Sequence, residues 1–152
     1  MKRASTRKYG IGFVVLFALL IWGYRAITVS EKISISKMEM RLSAFGVEAD
    51  DFPSIEGCID FTTQTSHCTR SYYNPAYHDS FYQLSKEEIE KVLELLQHTD
   101  LDKIKKEFTT SKPDQPTSTL VIYTSQGVYT IKDYGLQGDQ PLPDLYKIIY
   151  KF

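Results

Sequence analysis

The chain of 152 residues lacks most of the short motifs that announce a chemistry. It contains no G-x-S-x-G, no H-E-x-x-H, no phosphate-cradling glycine loop and no convincing catalytic triad, which argues against the commonest hydrolase, metalloprotease and nucleotide-binding classes. Cysteines number two, Cys58 and Cys68, and histidines three, His67, His78 and His98. A zinc site would have to draw on Cys58, Cys68, His67 or His78, yet His67 and Cys68 are adjacent and point to opposite faces of any strand. The spacing matches no compact ligand pattern, so no metal and no cofactor is expected. His98, following a helix, is explained by dipole and solvation effects without catalysis. Asp50, Asp51 and Glu56 form an acidic run without EF-hand spacing, which reads as a solvated loop rather than a calcium site. Internal repeats and low-complexity tracts are absent too.

Acid is missing from the first thirty residues, which carry five of the 18 Lys and Arg side chains. The remaining 122 residues hold 13 basic and 19 acidic groups, a net of −6. That part has no basic stripe to neutralise phosphates, which argues against nucleic acid as a partner. Residues 1–8 form a basic leader, and residues 9–29 are mostly apolar and uncharged except for Arg25. Sixteen helical residues span about 24 Å, short of a hydrocarbon core of about 30 Å. Snorkelling of Arg25 lets the span continue through Val29, and Tyr9, Trp22 and Tyr24 suit headgroup depth. The excess of basic charge before the span predicts a cytoplasmic N-terminus, with the rest of the chain outside the cytoplasm. The segment reads as an uncleaved signal anchor. The alternative is a signal peptide whose removal releases a secreted protein, although no clean A-x-A site follows. No Cys follows the apolar run either, which excludes a lipoprotein anchor.

Residues 30–36 read as a short stalk and residues 37–152 as one extracytoplasmic domain, long enough to bury a real core. In "ISISKMEMRL" Met38, Met40 and Leu42 share a face, while Ile33 and Ile35 have the other parity, so a bulge near Ser36 and Lys37 is expected. "GVEADDFPSIEG" reads as a loop, and "CIDF" resumes a strand with Ile59 and Phe61 on one side and Cys58 and Asp60 on the other. "SKEEIEKVLELLQ" is the clearest helix: Ser85 and Glu88 make a capping box, and Ile89, Val92, Leu93 and Leu96 repeat at helical spacing. Because a lone helix of this length is marginal in water, it should lie against a sheet. "DLDKIKKEF" offers a second short helical stretch, broken by "TSKPDQPTS". "TLVIYTSQGVYTIKDY" reads as a hairpin about Gln126 and Gly127. "PLPDLYKIIYKF" begins a helix at Pro143 and Asp144, with Leu142, Leu145 and Ile149 on one face. Together these pieces describe an α+β domain, a mostly antiparallel sheet packed by one main amphipathic helix and a short C-terminal helix.

"QLSKEEIEKVLELL", "DQPTSTLVIYTSQGVYTIKDYG" and "PLPDLYKIIYKF" resemble the later parts of a family of bacterial exported domains of unknown function. That resemblance extends over nearly all of residues 33–152 and implies a fold and an exported location, with no known activity. Members of the family open with a Cys-x-Gly-x-Cys-Pro-x-Tyr signature. Here "SAFGVEADDFPSIEGC" keeps Phe45-Gly46 and Phe52-Pro53 but has Ala44 and Phe52 where cysteines are expected, and it is lengthened between them. Whatever those paired cysteines do in the family does not carry over to these positions.

In an oxidising compartment two cysteines usually pair. A hairpin centred on Thr63 would set Cys58 directly opposite Cys68 on one face, near the separation a disulfide needs. Two free thiols, or a metal or redox pair, are the alternatives. "SYYNPAYHDSFYQL" gathers Tyr72, Tyr73, Tyr77, Phe81 and Tyr82, either as a recognition surface for a protein, glycan or wall polymer or as rings that cover the sheet. The functional expectation is a membrane-anchored module that binds a partner or serves the envelope without catalysis. The alternative is a small hydrolase-like envelope enzyme with a site around His67, His78 and Asp79.

Overall fold

The computed structural model describes residues 33–44, 47 and 51–152. The basic leader, the apolar span, the start of the stalk, Phe45-Gly46 and Asp50 lie outside the described residues. Among the described residues, no helix is long and apolar enough to cross a membrane.

Seven strands form one sheet: β1 (Ile35–Ser43), β2 (Ser54–Asp60), β3 (Thr65–Ser71), β4 (Ser80–Tyr82), β5 (Glu107–Phe108), β6 (Thr117–Thr124) and β7 (Gly127–Tyr134). They lie in the order β4-β3-β2-β1-β6-β7-β5, and every pairing is antiparallel except that of β5 with β7. Among the described residues two helices, α1 (Lys86–Gln97) and α2 (Leu142–Ile149), complete the α+β architecture. Alternation along each strand sends Met38, Met40, Leu42, Ile55, Ile59, Leu120, Ile122 and Ile131 into the core, where each is at most 1 % exposed. From the helices come Ile89, Val92, Leu96, Leu142, Leu145 and Ile149. One face of the sheet is thus dry, and its apolar burial is the main source of stability.

The long pairings β1–β2, β1–β6 and β6–β7 follow the expected parities. Pairing of β1 with β6 shifts register between Ile35 and Lys37, the bulge the parity change requires, and it allows Ile35 to be buried along with Met38. The capping box of α1 is complete: the Glu88 N–H donates to Ser85 Oγ at 3.2 Å and the Ser85 N–H to Glu88 Oε2 at 2.8 Å. Leu142, Leu145 and Ile149 face inward on α2.

Three boundaries differ from expectation. β1 begins at Ile35, inside the expected stalk, and β2 begins at Ser54, inside the expected loop. The stretch 100–108 forms turns and ends in β5 instead of a helix. Leu101 and Phe108 are buried as their spacing suggested, but the stretch turns rather than winding into a helix. Pairing of Glu107 and Phe108 with Lys132 and Asp133 satisfies the backbone instead.

Candidate functional site

The face of the sheet opposite the helices carries three rows of side chains that follow the strand register. One runs Lys132, Thr119, Arg41, Glu56, Thr69 and Phe81. The middle row is Thr130, Val121, Glu39, Cys58 and His67, and the third is Val128, Tyr123, Lys37, Asp60 and Thr65. Glu39, Arg41, Cys58, His67, Thr69 and Val121 help to line an open recess of about 620 Å³ in this face. Two ion pairs lie on this face, one along β1 from Lys37 Nζ to Glu39 Oε1 at 2.6 Å and one between β1 and β2 from Arg41 to Glu56 at 2.8 Å. The ammonium hydrogen bond holds the Glu39 carboxyl below its usual range, and Glu39 also accepts from the Tyr123 hydroxyl at 3.3 Å.

Cys58 and Cys68 are not bonded; both are free thiols. The expected bridge fails by one residue of register. The turn over residues 61–64 has an even number of residues, so its centre falls between Thr62 and Thr63 rather than on Thr63. Asp60 fixes that turn by accepting from the N–H groups of Thr62 at 2.8 Å and Thr63 at 3.0 Å, which lowers its own pKa. Cys58 therefore faces His67, and Cys68 faces Gly57. Parity then sends Cys58 to the open face and Cys68 into the core.

The residues of the enzyme alternative do not form a constellation. The His67 ring packs against Phe81, 5.9 Å between centroids. Asp79 Oδ1 accepts the Tyr72 N–H at 3.2 Å, a bond that fastens its own loop, and His78 is an exposed neighbour on the same loop. Glu39 is occupied by Lys37 and Tyr123 rather than by an imidazole. Among the described residues no imidazole is paired with a carboxylate, and no three His, Cys, Asp or Glu side chains converge as a metal site. Asp51 is exposed, and Glu56 belongs to β2 rather than to an acidic loop.

The tyrosines divide between the two readings of the aromatic segment. Tyr82 belongs to the structure: its hydroxyl donates to the Ile149 carbonyl, while the Arg70 guanidinium donates to the Tyr150 carbonyl at 2.6 Å. These donors satisfy carbonyls at the C-terminus of α2, where the helix dipole favours positive charge. Tyr73 is 93 % exposed, Phe81 73 % and Tyr77 44 %, and Tyr77 stacks on Tyr72 with centroids 5.2 Å apart. Their loop is well fastened. Besides the Asp79 bond, Asn74 accepts the Ala76 N–H through its side chain at 2.9 Å and the Tyr77 N–H through its carbonyl at 3.1 Å. Phe81 pairs in register with Thr69, a lining residue of the recess, so this ring stands at the edge of the open face, and Tyr73 and Tyr77 belong to the loop that leads into β4.

A family model described as Domain of unknown function (DUF6438) matches residues 67–152, more than half of the chain. The chain belongs to this family. No curated protein and no solved structure matches it. The DUF6438 match takes in most of β3, the aromatic loop, α1, α2 and the strands from β4 onward, whereas Glu39 and Cys58 lie outside it. The degenerate cysteine signature also lies outside the matched residues.

One feature of the region matched by DUF6438 was missed by reading the sequence. Asp133 is 1 % exposed at an inward position of β7, where it accepts from the Gln137 and Gly138 N–H groups and from the Tyr146 hydroxyl. Tyr146 stacks on Tyr150, and the hydroxyls of Tyr150 and Ser118 share a bond of 2.7 Å. An acid two residues after the inward Ile131, followed by "YGLQG", was the available signal. The network is internally satisfied, as a buried polar cluster must be.

Proposed function

We propose that this protein is a membrane-anchored, extracytoplasmic binding module whose contact surface is the open face of the sheet together with the aromatic rim at β4. The carrying observation is the exposure of Phe81 next to Thr69 of a recess that is open among the described residues, together with the exposure of Tyr73 on the fastened loop before β4. Large rings held out in water are a standing cost to solubility, and they favour contact with a partner. The apolar span of residues 9–29 and the basic residues before it support anchoring with this face outside the cytoplasm.

Two measurements test the reading. A phosphatase reporter that is active only outside the cytoplasm, fused after Phe152, should be active in intact cells. A photo-crosslinking amino acid at Tyr73 or Phe81 should give a discrete adduct that the same group at the exposed Lys103 does not. Equal labelling from all three positions removes the binding surface, and an inactive reporter removes the location.

A further inference from the structure

The open face and its aromatic rim have a chemistry that selects among ligand classes. Charges on the face nearly cancel, with a slight acidic excess: Lys37, Arg41 and Lys132 stand against Glu39, Glu56, Asp60 and Glu107. The two central pairs are already in contact, Lys37 with Glu39 and Arg41 with Glu56. A polyanion would have to compete with those carboxylates for Lys37 and Arg41. Between Ser71 and Gln83 there is no Lys or Arg to attract anions, and no Val, Leu, Ile or Met to anchor an apolar helix. What the rim offers is aromatic faces interspersed with hydroxyl, amide, imidazole and carboxylate groups, from Tyr73, Asn74, Tyr77, His78 and Asp79.

We infer that this surface takes a neutral polysaccharide segment, an inference that rests on the binding reading above. The C–H groups on one face of a sugar ring are polarised by the neighbouring oxygens and stack on the negative face of an aromatic ring. The sugar hydroxyls at the ring edge exchange hydrogen bonds with side chains of both donor and acceptor character. Phe81 starts the row Thr69, Glu56, Arg41, Thr119, which crosses four strand spacings, about 19 Å, enough for several linked sugars. Thr69 and Thr119, both short, keep the floor of that row low and line the recess.

The test applies the full chain, in mild detergent, to an array of neutral and acidic oligosaccharides. Saturable retention on neutral members that survives added salt is expected, because no counterions are released when a neutral ligand binds. Tyr73→Ala and Phe81→Ala should each weaken that retention by about tenfold, roughly the worth of one stacked ring, with the thermal midpoint unchanged. Both side chains stand in water, so these variants should fold. Retention only on acidic members and lost in salt overturns the inference, as does retention indifferent to both substitutions. An empty array beside a Tyr73 crosslink to a protein overturns the sugar and leaves the binding reading standing. An empty array with no crosslink overturns both.

Discussion

The hydroxyl of Tyr146 donates to the buried carboxylate of Asp133 at 2.6 Å, tying α2 to the last long strand of the sheet. Burial, and then this bond, push the Tyr146 phenol far above its usual range, so it remains a donor at any working pH. The other lone pairs of Asp133 hold the Gln137 N–H at 2.8 Å and the Gly138 N–H at 2.7 Å, which shapes the loop leading into α2. Tyr146→Phe removes one bond to a charged group and should cost about 1.5–3 kcal/mol. Asp133→Asn should cost more, since an amide NH2 would face a donor where an oxygen stood. Urea unfolding measures both, and equal stability of the two variants would contradict the bonding scheme.

Gly57 lies where α2 meets the sheet. A Cβ there would sit 2.9 Å from Ile149 Cγ2 and 3.5 Å from Cys68 Sγ. The obstructing methyl is on a β-branched centre and cannot swing aside, so Gly57→Ala should destabilise by about 1–3 kcal/mol through overpacking. Ile149→Ala removes the obstruction while leaving a cavity of its own. The double variant should therefore be more stable than the sum of the single losses predicts, and additive losses would place the strain elsewhere.

Much of this core was legible because period-2 and 3.6-residue patterns are enforced by burial. Met38, Met40 and Leu42 on β1, and Ile89, Val92 and Leu96 on α1, had to share a face. Ser85 and Glu88 marked the start of α1 because their side chains answer the same unpaired N–H groups from either direction. What depended on counting turn residues was not legible. One residue in the turn over 61–64 decides whether Cys58 meets Cys68 or His67, and no pattern in the strands reports it. The stretch 100–108 has helical spacing, but its last residues find partners on β7, a long-range pairing that local periodicity does not contain. The open face and the fastening of the aromatic loop likewise depend on which elements cover the sheet.

Tyr82 is a structural residue, in contrast to its neighbours on the rim. Tyr82→Phe leaves the Ile149 carbonyl without its donor, and Arg70→Gln does the same to the Tyr150 carbonyl. The expected cost is about 1 kcal/mol for the phenol and about 1.5–3 kcal/mol for the guanidinium. Hydrogen exchange should quicken in the last turn of α2 in both variants and stay unchanged in α1. Crosslinking from Tyr73 should persist in Tyr82→Phe. Loss of crosslinking with full protection of α2 would move Tyr82 to the binding surface.

The two cysteines should differ in reactivity. Cys58 is half-buried on the open face, while Cys68 is fully buried and its thiol is pushed up to about 11 by burial. Maleimide should modify Cys58 in the folded chain and Cys68 only after unfolding; a chain with no alkylatable thiol before reduction would restore the bridge. Burial, followed by the neighbouring Cys68, also raises Tyr82, to about 12. Both groups are neutral in the fold, and the unfolded chain loses their protons first, from its ordinary values of 9.0 for the thiol and 10.0 for the phenol. The folded state then binds more protons, so stability falls as pH rises from 9.0 through about 11 for Cys68, and from 10.0 through about 12 for Tyr82. Urea midpoints should be level from neutral pH up to 9.0 and decline above it. Cys68→Ala should delay the onset of that decline; an unchanged onset would mean that Cys68 is not the group that titrates first.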